Sequence, residues 1–433
     1  MKTKLLLLVS FLIITHSGFT QNWVAIGTGM DNSVSAITEY NGNLYAGGNF
    51  TNADGSPISY IAMWDGAHWN ALGTSVNGFV YTMVVFNAEL YVGGLFNMAG
   101  GSPAGFVAKW DGTNWSAVGT GMNNFVNNLT VFNSELYAGG NFSTADGNPA
   151  MYVSKWDGTS WNAVGAGFDL QVRALGVYNS ELYAGGFFQM SGTDTVKYIA
   201  KWNGTNWTAV GTGMNNYVYA FANYNSEFYA GGAFTTADGN PAVNIAKWNG
   251  SGWASVGGGM NNNRVLSLHA FGSELYAGGW FTMAGGNPAQ HIAMWNGISW
   301  APLGTGVNNY VYAIADYNND LYAGGTFTAA GTDTVNRIAK WIYPTAENHT
   351  AAVESFVTVY PNPFITEATV AVSGWGNGVY DLTLFDITGK VALRSKFSGG
   401  KSRIERANLK SGIYFYKISS SGKTIATGKL IAQ

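Results

Sequence analysis

The 433-residue chain holds 59 Gly, 16 Trp, 24 Tyr and 24 Phe, yet only 10% of it is charged, against about 25% in an ordinary soluble domain. It has no Cys and only 9 Pro, which excludes disulfide staples, thiol nucleophiles, Cys-ligated zinc and a Pro-rich disordered chain. The net charge of −3 hides an asymmetry: residues 21–343 carry 9 basic and 18 acidic side chains, residues 357–433 carry 10 and 4, so the larger part is too acidic for a nucleic-acid partner.

Residues 1–20 read as a secretory signal peptide. Lys2 and Lys4 open it, an apolar run spans 5–14, and Gly18 and Thr20 are small residues ahead of a cut before Gln21. This ten-residue run, interrupted only by Ser10, makes about 15 Å of helix, half the hydrocarbon thickness, so the segment predicts export and not a membrane anchor. No later segment is long and apolar enough to span a bilayer.

Residues 21–343 repeat. The block Leu-Tyr-Ala-Gly-Gly begins at Leu44, Leu90, Leu136, Leu182, Phe228, Leu275 and Leu321, with Val92 replacing Ala in the second copy. The spacing is 46 residues throughout, except 47 between the fifth and sixth copies. Such a period predicts an array of one supersecondary unit. Around the third copy, β-rich runs at Val126–Phe132, 136–142, 151–156 and 115–118 are separated by turn residues such as Asn133-Ser134 and Asp157-Gly158. We name these strands a, b, c and d. Four antiparallel strands per copy predict an all-β, seven-bladed β-propeller.

Fourteen Trp follow the same period. One family is Trp23, Trp69, Trp115, Trp161, Trp207, Trp253 and Trp300, and the other is Trp64, Trp110, Trp156, Trp202, Trp248, Trp295 and Trp341. Indoles in every copy are core, burying large area between stacked blades. The array opens on a lone d strand at 23–26 and ends on a c strand at 337–341. These two are expected to pair and close the ring, protecting an open sheet edge.

Strand alternation sends the d→a and b→c connections to one face, which carries the longer loops and is the expected ligand face. Around the strand-a Val the copies differ. The preceding residue is Ser33, Phe79, Phe125, Gln171, Tyr217, Arg264 or Tyr310, and the following one is Ser35, Tyr81, Asn127, Arg173, Tyr219, Leu266 or Tyr312. The ligand-binding candidates are Phe79, Tyr81, Phe125, Arg173, Tyr217, Tyr219, Arg264, Tyr310 and Tyr312, with Trp280 after the sixth Gly-Gly doublet. The competing reading is that these aromatics fill gaps between tapering blades.

Catalytic constellations are absent from the pattern. His68, His269, His291 and His349 fall in different regions with no metal or triad spacing, and His291 reads as solvated. Asp31 and Asp169 are the two carboxylates on the ligand face that a glycosidase would need. Asp54, Asp146 and Asp238 sit in Asp-Gly turns with too few neighbouring oxygens for calcium. No cofactor and no metal site are expected.

Residues 344–356 read as a linker. Residues 357–433 form a small sandwich domain, with strands expected at 357–359, 369–372, 380–385, 391–397, 413–418 and 425–431.

Two resemblances follow from these residues. A Tyr before a Gly-Gly doublet ending strand b, then a Trp opening strand d after an Asp-Gly turn, is similar to kelch-type propellers, to bacterial surface propellers and to ectodomains of fungal cortical polarity markers. The copper chemistry of some kelch-type enzymes would need a Cys that the chain lacks. The tail resembles the C-terminal sorting domain of type IX secretion substrates of Bacteroidetes, through Tyr360-Pro361-Asn362-Pro363-Phe364, 384–390, the run from Gly412 through Tyr414 to Ile418, and Gly428-Lys429-Leu430. This resemblance implies the type IX machinery as partner and a secreted or surface-attached product. Asp194 and Asp333 open Asp-Thr-Val sequences that resemble the O-glycosylation motif of the same bacteria. The functional expectation is an exported, monomeric, non-catalytic binding propeller for a glycan or protein. A polysaccharide hydrolase or lyase and a structural or adhesive module are the alternatives.

Overall fold

The computed structural model describes residues 22–342, except 262 and 332, and residues 356–433, except 374–378, 388, 399–400, 407–408 and 421–422. The expected signal peptide at 1–20, His349 and all but the last residue of the expected 344–356 linker lie outside the described residues. The chain divides into two compact units at residue 344.

The first unit holds seven four-stranded antiparallel sheets among the described residues. In the third, Val126–Phe132, Glu135–Gly140, Val153–Trp156 and Trp161–Ala163 follow in order. Each strand a packs against the next copy's strand a, and the seventh packs against the first, so the sheets form a closed ring. Asn133 and Ser134 take φ of 50° and 62°, the paired left-handed angles of a tight hairpin turn. The Asp157 carboxylate accepts hydrogen bonds from the amides of Thr159 and Ser160 and shapes the c→d turn.

The N-terminal strand closes the ring. Asn22–Ala25 pairs with Ile338–Ile342, Trp23 opposite Trp341. Those indoles lie 5.1 Å apart, as do their counterparts Trp156 and Trp161 at 5.5 Å. In the other six sheets the strand-d indole also donates to a carbonyl of the preceding copy, as Trp161 does to Val118. The buried Trp23 indole N–H has no such partner.

The Gly-Gly doublet has two separate tasks. A Cβ on the first glycine would fall 2.4–2.7 Å from the strand-a Val of the next copy, from Gly47 against Val80 round to Gly324 against Val34. A Cβ on the second glycine would meet the carbonyl that precedes its own strand a, as one on Gly232 would meet that of Tyr217 at 2.2 Å. Glycine therefore lets neighbouring backbones approach as closely as this ring requires.

Two features depart from the sequence reading. Strand c starts later than expected, because the residue before it takes a positive φ in all seven copies, for example 67° at Tyr152. The b→c loop also carries a small hairpin, Thr144–Ala145 with Asn148–Pro149. Asp146 beside it is a clamp: it accepts from the amides of Thr120 at 2.6 Å, Gly121 at 3.1 Å and Trp161 at 2.8 Å. Asp54 and Asp238 do the same for the Thr28–Trp69 and Thr212–Trp253 pairs. Hydrogen bonds to a charged acceptor contribute about 1.5–3 kcal/mol, so Asp146→Ala should cost about 2 kcal/mol and Asp146→Asn less. An unshifted urea midpoint for Asp146→Ala would refute the clamp.

The second unit is a two-layer sandwich. One sheet joins Phe356–Tyr360, Glu367–Ser373 and Lys401–Glu405. The other joins Val391–Ser398, Val379–Asp386, Gly412–Ser420 and Lys423–Ala432. Lys401–Glu405 was not foreseen, and the first strand begins at Phe356, inside the expected linker. Val370, Leu382, Leu384, Ile404, Ile418 and Leu430 belong to the core between the sheets.

Candidate functional site

Strand a is the innermost strand, so its first residues surround the axis. There they line a cavity of about 490 Å³. All seven residues that follow the strand-a Val contribute: Ser35, Tyr81, Asn127, Arg173, Tyr219, Leu266 and Tyr312. Arg264 and Trp280 complete the wall, and Leu175, Phe221, Leu268 and Ile314 add apolar surface.

The structure thus gathers Tyr81, Arg173, Tyr219, Arg264, Trp280 and Tyr312 around one space, and leaves Phe79, Phe125, Tyr217 and Tyr310 out of its lining. The cause is local. A β-bulge follows the strand-a Val in every copy, so simple alternation fails there. The carbonyl before the Val is held by the amide after the doublet, as Phe125 is by Asn141 and Tyr217 by Ala233. The four rings pack on their neighbours. Tyr217 stacks on Phe187 at 3.9 Å and Tyr310 on Trp280 at 4.6 Å, while Phe79 meets Tyr60 at 6.2 Å and Phe125 meets Tyr81 at 6.0 Å.

Phe187 was missed although it follows the fourth doublet as Trp280 follows the sixth. Its ring lies 6.0 Å from the Arg173 guanidinium. Asn127 was passed over too. It donates to the Val172 carbonyl at 2.9 Å and accepts from Arg173 Nη1 at 2.9 Å, so it fixes the arginine across the boundary between copies. Arg264 lies over Trp280 at 4.6 Å and over Tyr219 at 5.8 Å. Arg173 takes Tyr219 at 5.9 Å. Burial, and then the nearby Arg264 charge, lower the Arg173 pKa against the opposing influence of Tyr219 and Tyr81. Burial raises the phenol pKa of Tyr81, Tyr219 and Tyr312, which keeps these hydroxyls neutral donors near neutral pH.

The remaining titratable candidates have structural partners. Asp31 and Asp169 stand where other copies carry Asn123 or Asn215, and perform the same task. Asp31 accepts from the amides of Thr51 and Asn52 at 2.8 and 3.1 Å, and Asp169 from those of Gln189 and Met190 at 2.9 and 3.1 Å. Burial alone would raise the Asp31 pKa, but hydrogen bonds from Asn52 and Thr51 outweigh it and hold the value at about 2. His291 is not solvated. It is 8% exposed, packs on Tyr310 at 5.5 Å, and burial lowers its pKa. Among the described residues no group of three or more His, Asp or Glu converges as a metal site, and no helix is long and apolar enough to cross a membrane.

The predicted sorting residues tie down the final strand. Phe364 is buried and bridges to Ala432. Asn362 accepts from the Ile431 amide at 2.9 Å and donates to the Lys429 carbonyl at 2.8 Å. Tyr414 donates to the Lys410 carbonyl at 2.9 Å, and the Tyr416 ring covers Gly428. Tyr360 is exposed, and Pro361, Pro363 and Gly412 lie at the surface with it.

These features define a β-propeller with an axial cavity, followed by a sandwich module. Residues 358–433 match the model of the secretion system C-terminal sorting domain. The chain therefore carries a type IX sorting module, which engages that machinery and directs the protein to the cell surface or extracellular space. No curated protein matches the chain significantly. Among solved structures, an extracellular domain described as part of a hybrid two-component system of B. thetaiotaomicron aligns at TM-score 0.50 and 10% identity, over 95% of this chain and 57% of its own. A second such domain from that organism gives 0.47 and 12%, over 96% and 59%. PorZ, a surface component of the type-IX secretion system of Porphyromonas gingivalis, gives 0.47 and 13%, over 95% and 60%. The chain thus spans about six-tenths of the length of these structures, and the likeness at 0.50 is one of fold.

Proposed function

We propose that the protein is an exported, monomeric, kelch-type binding propeller that holds a glycan in its axial cavity without transforming it. An N-terminal signal starts the export that the sorting module completes. The observation that carries this reading is the cavity itself. Its volume of about 490 Å³ falls within the range typical of small-ligand sites. Such a space accepts one or a few sugar units, whereas a folded protein partner would meet only its rim. Tyr81, Tyr219 and Tyr312 offer apolar rings with polar tips, the chemistry that grips a sugar through both its CH faces and its hydroxyls.

The test is a polysaccharide panel scored for both binding and reducing-end release. Binding without release is expected, and the Tyr219→Ala, Tyr312→Ala double variant should weaken it by about tenfold or more. Undiminished binding by a folded double variant would sink the cavity as the site. Release that disappears in Asp31→Asn or Asp169→Asn would replace this reading with a hydrolase or lyase.

A further inference from the structure

The cavity contains two guanidinium groups and no carboxylate. Its lining residues include Arg173 and Arg264 but neither Asp nor Glu. Neither arginine takes part in any ion pair found among the described residues. Like charges placed together in a partly desolvated site repel and lose hydration, so they need a compensating interaction. Here the aromatic faces supply part of it. Trp280 lies between Tyr310 and Arg264, and Tyr219 is shared by both arginines. Stacking occupies the flat face of a guanidinium and leaves its in-plane N–H donors available. Arg173 spends Nη1 on Asn127. The Arg264 guanidinium donates to no protein group among the described residues. Two further polar atoms are unsatisfied in the same wall: Ser267 is 9% exposed, and neither its Oγ nor the Trp280 indole Nε1 has a hydrogen-bond partner.

We infer that the cavity selects an anionic sugar, a carboxylate-bearing uronic-acid unit, with the guanidinium edges of Arg264 and Arg173 receiving the carboxylate. The inference rests on the glycan reading above and narrows it to a ligand class. Arg264 carries most of the recognition, because its donors are uncommitted. Asn127 is a positioning residue that holds Arg173. The neutral phenols of Tyr81, Tyr219 and Tyr312 meet the sugar hydroxyls around the charged pair. The acidic balance of residues 21–343, 9 basic against 18 acidic side chains, makes the arginine pair a local exception in a unit that otherwise repels polyanions.

The test uses the full chain and calorimetric titration with trigalacturonate, its fully methyl-esterified form, and hexaglutamate peptide. Trigalacturonate should bind at least about tenfold more tightly than the ester, and Arg264→Gln should remove that preference. Arg264→Lys should recover only part of the preference, since an ammonium lacks the bidentate fork. Arg173→Gln, which also releases Asn127, is read only after its melting curve matches the parent; if it does not, Arg264→Gln decides alone. Equal binding of acid and ester overturns the inference and leaves the glycan reading standing. Binding of neither sugar overturns both. Hexaglutamate binding as tightly as trigalacturonate overturns the sugar assignment in favour of an acidic peptide.

Discussion

Replacing Trp23 by Ala is expected to destabilise the propeller unit by about 3–5 kcal/mol, the usual cost of emptying a fully buried Trp site. Trp23 is 1% exposed and packs against Trp341. Its strand pairs the first and last segments of the ring, and just beyond it the Met30 amide donates to the Asn336 carbonyl. The loss should exceed that of an ordinary core deletion in one respect, because releasing Asn22–Ala25 uncovers the edge of Ile338–Ile342. Urea unfolding followed by Trp fluorescence, with limited proteolysis under native conditions, reads both effects. Trp115, which is only half-buried in an internal strand d, is the control. If Trp115→Ala lowers the midpoint as much as Trp23→Ala, closure is not a special point of weakness.

The second large effect is expected for Gly232→Ala. The new Cβ would sit 2.2 Å from the Tyr217 carbonyl oxygen and 2.7 Å from the Phe234 ring, far inside contact distance. Relief requires moving the start of strand a, because the opposing atom is backbone. Overpacking of this kind costs about 1–3 kcal/mol and sometimes more. Here the displaced segment carries Tyr217 and Tyr219, so the proposed sugar binding should fall together with stability. Gly252→Ala is the matched control, since the nearest atom to its added Cβ is Asp238 Oδ2 at 3.9 Å. A Gly232→Ala protein with parental melting and parental affinity would show that the doublet tolerates a side chain.

Much of this was legible in the sequence, for a physical reason. A ring of equivalent sheets repeats its packing constraints, so Trp, Gly and the strand-a Val recur wherever the same neighbour recurs. Closure was legible because the repeat is cut between strands c and d, leaving one unpaired strand at each end. The lining of the candidate cavity was legible in part by difference, at positions where equivalent copies disagree. Its inner boundary was not. Alternation alone puts Phe79 and Tyr81 on one face, and their rings do meet at 6.5 Å, yet only Tyr81, at the bulge that follows Val80, lines the cavity. Nor does composition tell that Asp31 does the work of Asn123: both offer an acceptor oxygen to the same pair of amides, and only the geometry shows it occupied. Asn127 escaped notice because its task belongs to the neighbouring copy's arginine.

The seam between Trp23 and Trp341 has a topological consequence. In each other sheet the same pair of strands is joined by a short turn, as 157–160 joins Trp156 to Trp161. The position of the chain break is therefore a property of the gene and not of the ring. A turn like 157–160 placed between Trp341 and Trp23 would make the propeller covalently circular, and opening it at any other c→d turn would return a permuted chain with the same cavity. The site belongs to the circle as a whole, and no copy holds a privileged place as its beginning.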